Sequence, residues 1–268
     1  MFWFFNFVCR LWNKIKHMDQ DAVNKKNVKL IIIVAALGYF VDIYDLILFS
    51  VIRIKSLKGL GVPEGDLLDV GTMLINSQMF GMLIGGILWG VLGDKKGRLS
   101  VLFGSILLYS AANLANGFVT TVEQYAIIRF IAGIGLAGEL GAGITLVTET
   151  MSKENRGYGT MIVAGVGLMG AVAAAIIGEN YAWETSYIIG GIMGLLLLGM
   201  RVGLAESGMF KNLKNDGVSR GDIFMLFSDG KRFKKYLSCI LIGIPLWFVV
   251  GVLVTFSPEF GNELVTNY

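Results

Sequence analysis

The chain has 268 residues, 54% of them hydrophobic and 16% charged, with 36 glycines and a formal net charge of +3. So few charges cannot cover a water-soluble domain of this length, and glycine stands at nearly twice its usual frequency. The excess positive charge sits in flanks between apolar runs and forms no nucleic-acid-binding patch.

The leader MFWFFNFVCRLWNKIKH is aromatic and basic, too short to span a bilayer, and lacks a small-residue cleavage site. The plainer expectation is that translation starts at Met18; an interfacial amphipathic anchor is the alternative. Seven apolar runs follow, at about 29–51, 71–92, 99–117, 124–148, 158–178, 186–204 and 236–257. Each is long enough to cross a hydrocarbon core of roughly 30 Å. Lipid offers the backbone no hydrogen-bond partner, so each run is predicted helical, and nothing alternates with the period of two that a membrane β-barrel needs. The predicted organisation is a tail over 1–27, a six-helix bundle over 28–204, a charged linker over 205–235 with a surface helix, a seventh helix over 236–257, and a tail over 258–268.

Charge asymmetry predicts the orientation. Arg10, Lys14, Lys16, Lys25, Lys26 and Lys29 precede the first run, and Lys95, Lys96 and Arg98 follow the second. Lys153 and Arg156 follow the fourth, and Arg201 to Lys235 bring eight more bases after the sixth. The opposite flanks hold Arg53, Lys55 and Lys58 against eight acids, Glu259 among them. This is the positive-inside pattern, with a cytoplasmic amino terminus and the end of the seventh run outside. Cys9 and Cys239 then face the reducing side and predict no disulfide. His17 is the only histidine and lies in a polar tail.

Between the second and third runs stands Gly90-Val-Leu-Gly-Asp94-Lys95-Lys-Gly97-Arg98. Gly90 is expected to let two helices touch, Gly97 to permit a tight turn, and Asp94 to face a helix amino terminus or a cation. The fourth run opens Arg129-Phe-Ile-Ala-Gly133-Ile-Gly135-Leu-Ala-Gly138-Glu139 and leads to Glu149 and Arg156-Gly157. Its glycines are spaced for close helix packing. These stretches resemble signature motifs of the major facilitator superfamily, and the resemblance covers about residues 28 to 257. It implies an all-α fold, a six-helix amino-terminal bundle plus the first helix of a second half, and secondary transport of a small solute without a cofactor. It also implies that Gly90, Asp94, Lys95, Gly97, Arg98, Glu149 and Arg156 belong to cytoplasmic gating loops. Leu99 departs from the family pattern, where a second base is usual, and Trp183-Glu184 departs from a common Trp-Arg.

Charges inside the runs carry the functional reading, because an ionisable group in a membrane is costly and marks a pathway or a partner. Asp45 lies six residues below the outer end of the first run and Arg129 five below that of the fourth, or about 9 and 8 Å at the helical rise. An Asp45–Arg129 ion pair is therefore predicted, with Tyr44 beside it. Asp42 is one turn deeper with no cation at its depth, and Glu139 is expected as a second unpaired acid. A desolvated carboxyl keeps its proton more readily than one beside arginine. That makes Asp42 the first candidate proton carrier, with Asp45 and Glu139 behind it, and Arg129 the group that meets an anionic substrate. Asn76, Gln78, Asn113, Asn116, Thr145 and Thr148 read as interhelical hydrogen-bonders.

The Asp-x-x-Asp of the first run with Arg and Gly-Glu in the fourth is similar to proton-coupled branches that carry aromatic acids, sialate, lactate and other metabolites. No proline follows Gly165-Val-Gly167-Leu-Met-Gly170, so the Gly-Pro signature of drug antiporters is missing, and Glu139-Leu-Gly replaces the Asp-Tyr-Pro of the phosphate branch. Proton-coupled symport of a small organic acid across a cell (inner) membrane is the expectation. A sugar porter, or a non-transporting fragment that needs a missing carboxyl-terminal half or a second copy, is the alternative. No phosphate-binding loop, metal cluster or nucleophile–base pair argues for a pump or an enzyme, and the seventh run lacks a retinal-type lysine.

Overall fold

The computed structural model describes residues 25–96, 98–151, 156–206, 227–257 and 259–261. The leader, Gly97, most of the linker and the final tail lie outside the described residues, as do the side chains of Arg98 and Glu149. Among the described residues seven helices appear in chain order: α1 (Lys25–Gly59), α2 (Leu67–Lys96), α3 (Arg98–Asn116), α4 (Val122–Thr150), α5 (Arg156–Asn180), α6 (Trp183–Glu206) and α7 (Gly230–Phe248). A single 3-10 turn, Glu64–Asp66, precedes α2, and α7 continues as a π-helical turn over Val249–Val254. The fold is all-α among the described residues; five of the predicted runs lie inside one helix, 99–117 ends one residue beyond α3, and 236–257 runs through α7 and its continuation to three residues past it.

By length and hydropathy, Ile32–Gly59, Glu64–Lys95, Arg156–Asn180 and Trp183–Arg201 can each cross a membrane. Val101–Asn116 is a shorter apolar helix, and the 29 residues of α4 rise about 44 Å. The chain is an integral, multi-pass membrane protein. The helices overrun the apolar runs, and one overrun corrects the sequence reading. Lys231 to Lys235, expected in a separate surface helix, form the first turns of α7 itself.

Local signals set the helix ends. After α1, Gly61 adopts φ +79, its N–H bonds the Lys58 carbonyl at 3.0 Å, and the Val62 N–H bonds Leu57 at 3.1 Å. That pairing satisfies carbonyls the helix end leaves open and needs a residue without a Cβ at Gly61. At the start of α4 the Thr121 hydroxyl accepts from the Gln124 amide at 3.3 Å, while the Gln124 side chain accepts from the Thr120 amide at 3.1 Å. At the outer end of α5, Lys55 donates to the carbonyls of Gly178 and Glu179 at 2.9 and 3.0 Å, a cation placed at the negative end of a helix.

Helix α1 packs chiefly on α5, α2 on α4, and α3 on α4 and α6. It is the hub: 61% of its apolar window is buried, against 22% for α2. The α2–α4 seam depends on glycine. A Cβ on Gly85 would lie 2.7 Å from the Ile134 Cα, and one on Gly133 would strike the Gln78 carbonyl, so the two backbones are in contact. Trp89 spans the same seam, donating to the Ile134 carbonyl at 2.6 Å. Gly90 does not behave as expected. Among the described residues a Cβ there meets nothing within 4 Å, so none of them is packed against it.

Candidate functional site

The interior of the bundle is polar in two layers, both built on α1. In the outer layer the fully buried Arg129 of α4 brings Nη1 to 4.0 Å from Oδ1 of the equally buried Asp45. Its Nη2 donates to Oε1 of Gln78 on α2. The guanidinium lies over the Phe49 ring at 4.4 Å and 5.7 Å from the Tyr187 centroid. Tyr187 and Tyr125 share a hydroxyl hydrogen bond of 2.5 Å. Such cation–π contacts hold a desolvated arginine at about 2 kcal/mol or more each, without filling its N–H groups.

Those unfilled groups define the layer. Arg129 Nε and Nη1, both Asp45 oxygens, Gln78 Nε2 and the whole amides of Asn113 and Asn116 are buried without a hydrogen-bond partner among the described residues. Buried polar groups of soluble cores are satisfied nearly always, so an open set of this size sets the layer apart from ordinary packing. Tyr44 is placed differently from expectation. Its hydroxyl donates to the Ser186 carbonyl at 2.8 Å, so it ties α1 to α6 instead of facing Arg129.

The inner layer overturns one expectation. Glu139 is not an unpaired acid. Arg201 of α6 clasps it, Nη1 to Oε2 at 2.6 Å and Nη2 to Oε1, and Arg201 also reaches the Leu102 carbonyl at 3.4 Å. Gly38 of α1 makes the room, since a Cβ there would collide with both side chains. Arg201 had been counted among the cytoplasmic flank charges, although the run 186–204 already contains it; the structure buries it to 3% exposure. Asp42, 5% exposed, keeps both oxygens unpartnered among the described residues, as do the hydroxyls of Tyr109 and Ser110.

Arg53 is a second base that proves to be buried. Assigned to the external flank, it lies on α1, fully buried, paired with Glu259 beyond α7 and 4.9 Å from the Phe256 centroid. The Ser50 and Thr255 hydroxyls bond at 2.9 Å one turn away. These contacts fasten the outer end of the seventh-helix segment to α1. Of the predicted gating residues whose side chains are described, Asp94 and Lys95 are exposed at the end of α2, and Arg156 donates to the Met151 carbonyl at 3.0 Å.

Buried acids and arginines stacked along α1, in a bundle of helices long and apolar enough to cross a membrane, have the character of a membrane transporter bundle. The sequence profile described as Major Facilitator Superfamily matches residues 30–266, so the chain belongs to that family. It is 30% identical over 178 residues to a sialic acid transporter of Escherichia coli (strain K12), covering 65% of this chain and 43% of that protein. It is 28% identical over 186 residues to a benzoate transport protein of Acinetobacter baylyi, covering 66% of this chain and 39% of that one. The chain thus spans less than half the length of these curated relatives. In fold it is similar to the inward open xylose transporter of E. coli, with TM-score 0.62 at 18% identity, covering 87% of this chain and 64% of that one. It is a transporter-family protein and not an enzyme.

Proposed function

We propose that the chain forms the amino-terminal bundle and seventh helix of a proton-coupled symporter for a small organic acid. The observation that carries this is the open guanidinium of Arg129, 4.0 Å from Asp45 with Nε and Nη1 unfilled. A carboxylate entering the layer meets a fork of N–H groups suited to bidentate binding. The named substrates of the two relatives above, sialic acid and benzoate, are both carboxylic acids. The chain lies in the cell (inner) membrane with its amino terminus in the cytoplasm, as the flank charges favour. The other wall of the pathway comes from a second bundle, in further chain or a second copy.

The coupling follows from the cost of stranding a charge. Removing Asp45 from Arg129 with nothing in return leaves a buried cation unpaired, at about 3–5 kcal/mol. A proton arriving on Asp45 together with a substrate carboxylate on Arg129 avoids that cost, because one anion replaces another. Asp42, one turn deeper and without a hydrogen-bond partner, passes the proton along α1. The clasped Glu139–Arg201 pair holds α4 to α6. With one proton per monocarboxylate no net charge moves, so accumulation follows the pH gradient, tenfold per unit, and not the voltage. If both aspartates load, the step becomes electrogenic, and each charge adds about 2.3 kcal/mol per 100 mV.

The test is uptake into proteoliposomes containing the chain, with organic acids and xylose offered under an imposed pH gradient. Expected is carboxylate uptake that Asp42→Asn and Arg129→Ala both abolish. Xylose uptake in place of acid uptake would move the chain to the sugar porters. Absence of any uptake by correctly inserted protein would assign it the role of a non-transporting fragment.

A further inference from the structure

A cavity of about 170 Å³ lies where α1, α2 and the π-helical turn after α7 meet. Phe49, Gln78, Met79, Met82 and Gly251 are among the residues that line it. Two of these residues also hold Arg129. Phe49 lies under the guanidinium, and Gln78 accepts its Nη2 proton through Oε1. Gln78 is 2% exposed, and its Nε2 has no partner among the described residues. The cavity and the arginine are therefore two rooms with a shared wall, one apolar and one charged.

We propose that this cavity seats the apolar body of the solute, one ring in size, while its carboxylate rests on Arg129, and that Gln78 is the specificity-determining residue between them. The proposal rests on the reading of the chain as an organic-acid carrier and adds where and how the acid is selected. Size gives the first argument. An apolar cavity of about 150 Å³ stays dry and accepts benzene, so this one holds a single six-membered ring and excludes two. The lining gives the second. Thioethers adapt to a flat ring and contact its edge favourably, by about 0.3–1.5 kcal/mol. The free Nε2 of Gln78 gives the third, since a donor with no protein partner is filled by a ring nitrogen, a hydroxyl or the second carboxylate oxygen.

Helix α7 is part of this site. Gly251 falls in the π-helical turn, a distortion that recurs at functional positions, and a Cβ built on it meets nothing within 4 Å. A larger side chain at 251 therefore projects into open space and does not disrupt a packed contact. That makes Gly251→Leu a filling variant compatible with folding, and Met82→Phe fills the cavity from α2.

The experiment measures equilibrium binding of radiolabelled benzoate and acetate to the full chain in nanodiscs, with the melting temperature followed for each variant. The parent is expected to prefer benzoate at least tenfold. Gly251→Leu and Met82→Phe should each lower the benzoate-to-acetate affinity ratio at least tenfold, and Gln78→Leu should weaken benzoate while keeping the melting temperature within a few degrees. If either filling variant folds and keeps the full benzoate preference, the cavity is not the ring site. Equal binding of both acids by the parent likewise overturns the cavity while the carboxylate reading stands. A parent that binds neither acid overturns the carboxylate reading and this inference with it.

Discussion

Two buried acid–arginine pairs sit in one bundle and differ in nearly every respect. Glu139 and Arg201 are clasped through two parallel contacts, with a third from Arg201 to the Leu102 carbonyl. Asp45 and Arg129 stand 4.0 Å apart, and neither aspartate oxygen accepts a hydrogen bond among the described residues. The first pair fills every group but Arg201 Nε and behaves as a brace between α4 and α6. The second leaves most of its groups open and behaves as a socket. Burial alone therefore does not separate the two pairs; the hydrogen-bonding capacity each leaves unfilled does.

The largest effect should come from breaking the brace. Arg201→Ala strands Glu139 in the bundle, with an expected loss of about 3–5 kcal/mol read by unfolding in detergent micelles. Combining it with Glu139→Gln should recover most of that loss, and failure to recover would show that the pair is no brace. Breaking the socket should cost less stability and more function. Asp45→Asn is expected to cost only part of the about 3–5 kcal/mol of a stranded buried cation, since the amide keeps an oxygen facing the Arg129 guanidinium, yet to abolish uptake. A loss as large as that of Arg201→Ala would erase the distinction.

Smaller effects sharpen the contrast from its edges. Tyr125→Phe removes the 2.5 Å hydroxyl bond to Tyr187 beneath Arg129 and should cost about 1 kcal/mol, with a weaker affinity for carboxylates. At the surface, Lys58 and Glu64 pair at 2.7 Å with both side chains largely exposed, and Lys58→Ala should leave the melting temperature unchanged. The Lys58 hydrogen bond and charge still hold the Glu64 carboxyl below its ordinary value of 4.5. A depressed value means that any support from this pair is present above about pH 4.5 and fades as the pH falls further, an outcome a carbon-detected NMR titration would read.

The helices were legible because lipid imposes a length and a composition that few other folds share. The Asp45–Arg129 layer was legible for a related reason, since the helical rise converts residue counts into depth. Arg53 and Arg201 were not. Positive-inside counting treats every base near a run's end as a flank charge, while their acids, Glu259 and Glu139, lie far off in sequence and give no local sign. Gln78 read as one polar residue among several, because nothing in a single sequence says which amide meets the arginine. Gly90 is the opposite case, as its motif predicts a contact that no described residue makes.

Helix α1 has a consequence for how the protein is made. It carries Asp42, Asp45 and Arg53, and the partners of the last two emerge only with α4 and with the segment beyond α7. At 5–20 residues per second, α1 precedes Arg129 by roughly 4–17 s and Glu259 by roughly 10–40 s. Each unpaired ionisable residue costs on the order of 3 kcal/mol at a helix centre during insertion. The hub of the bundle is thus its least settled member during synthesis, held by its apolar residues alone until later helices arrive to receive its charges.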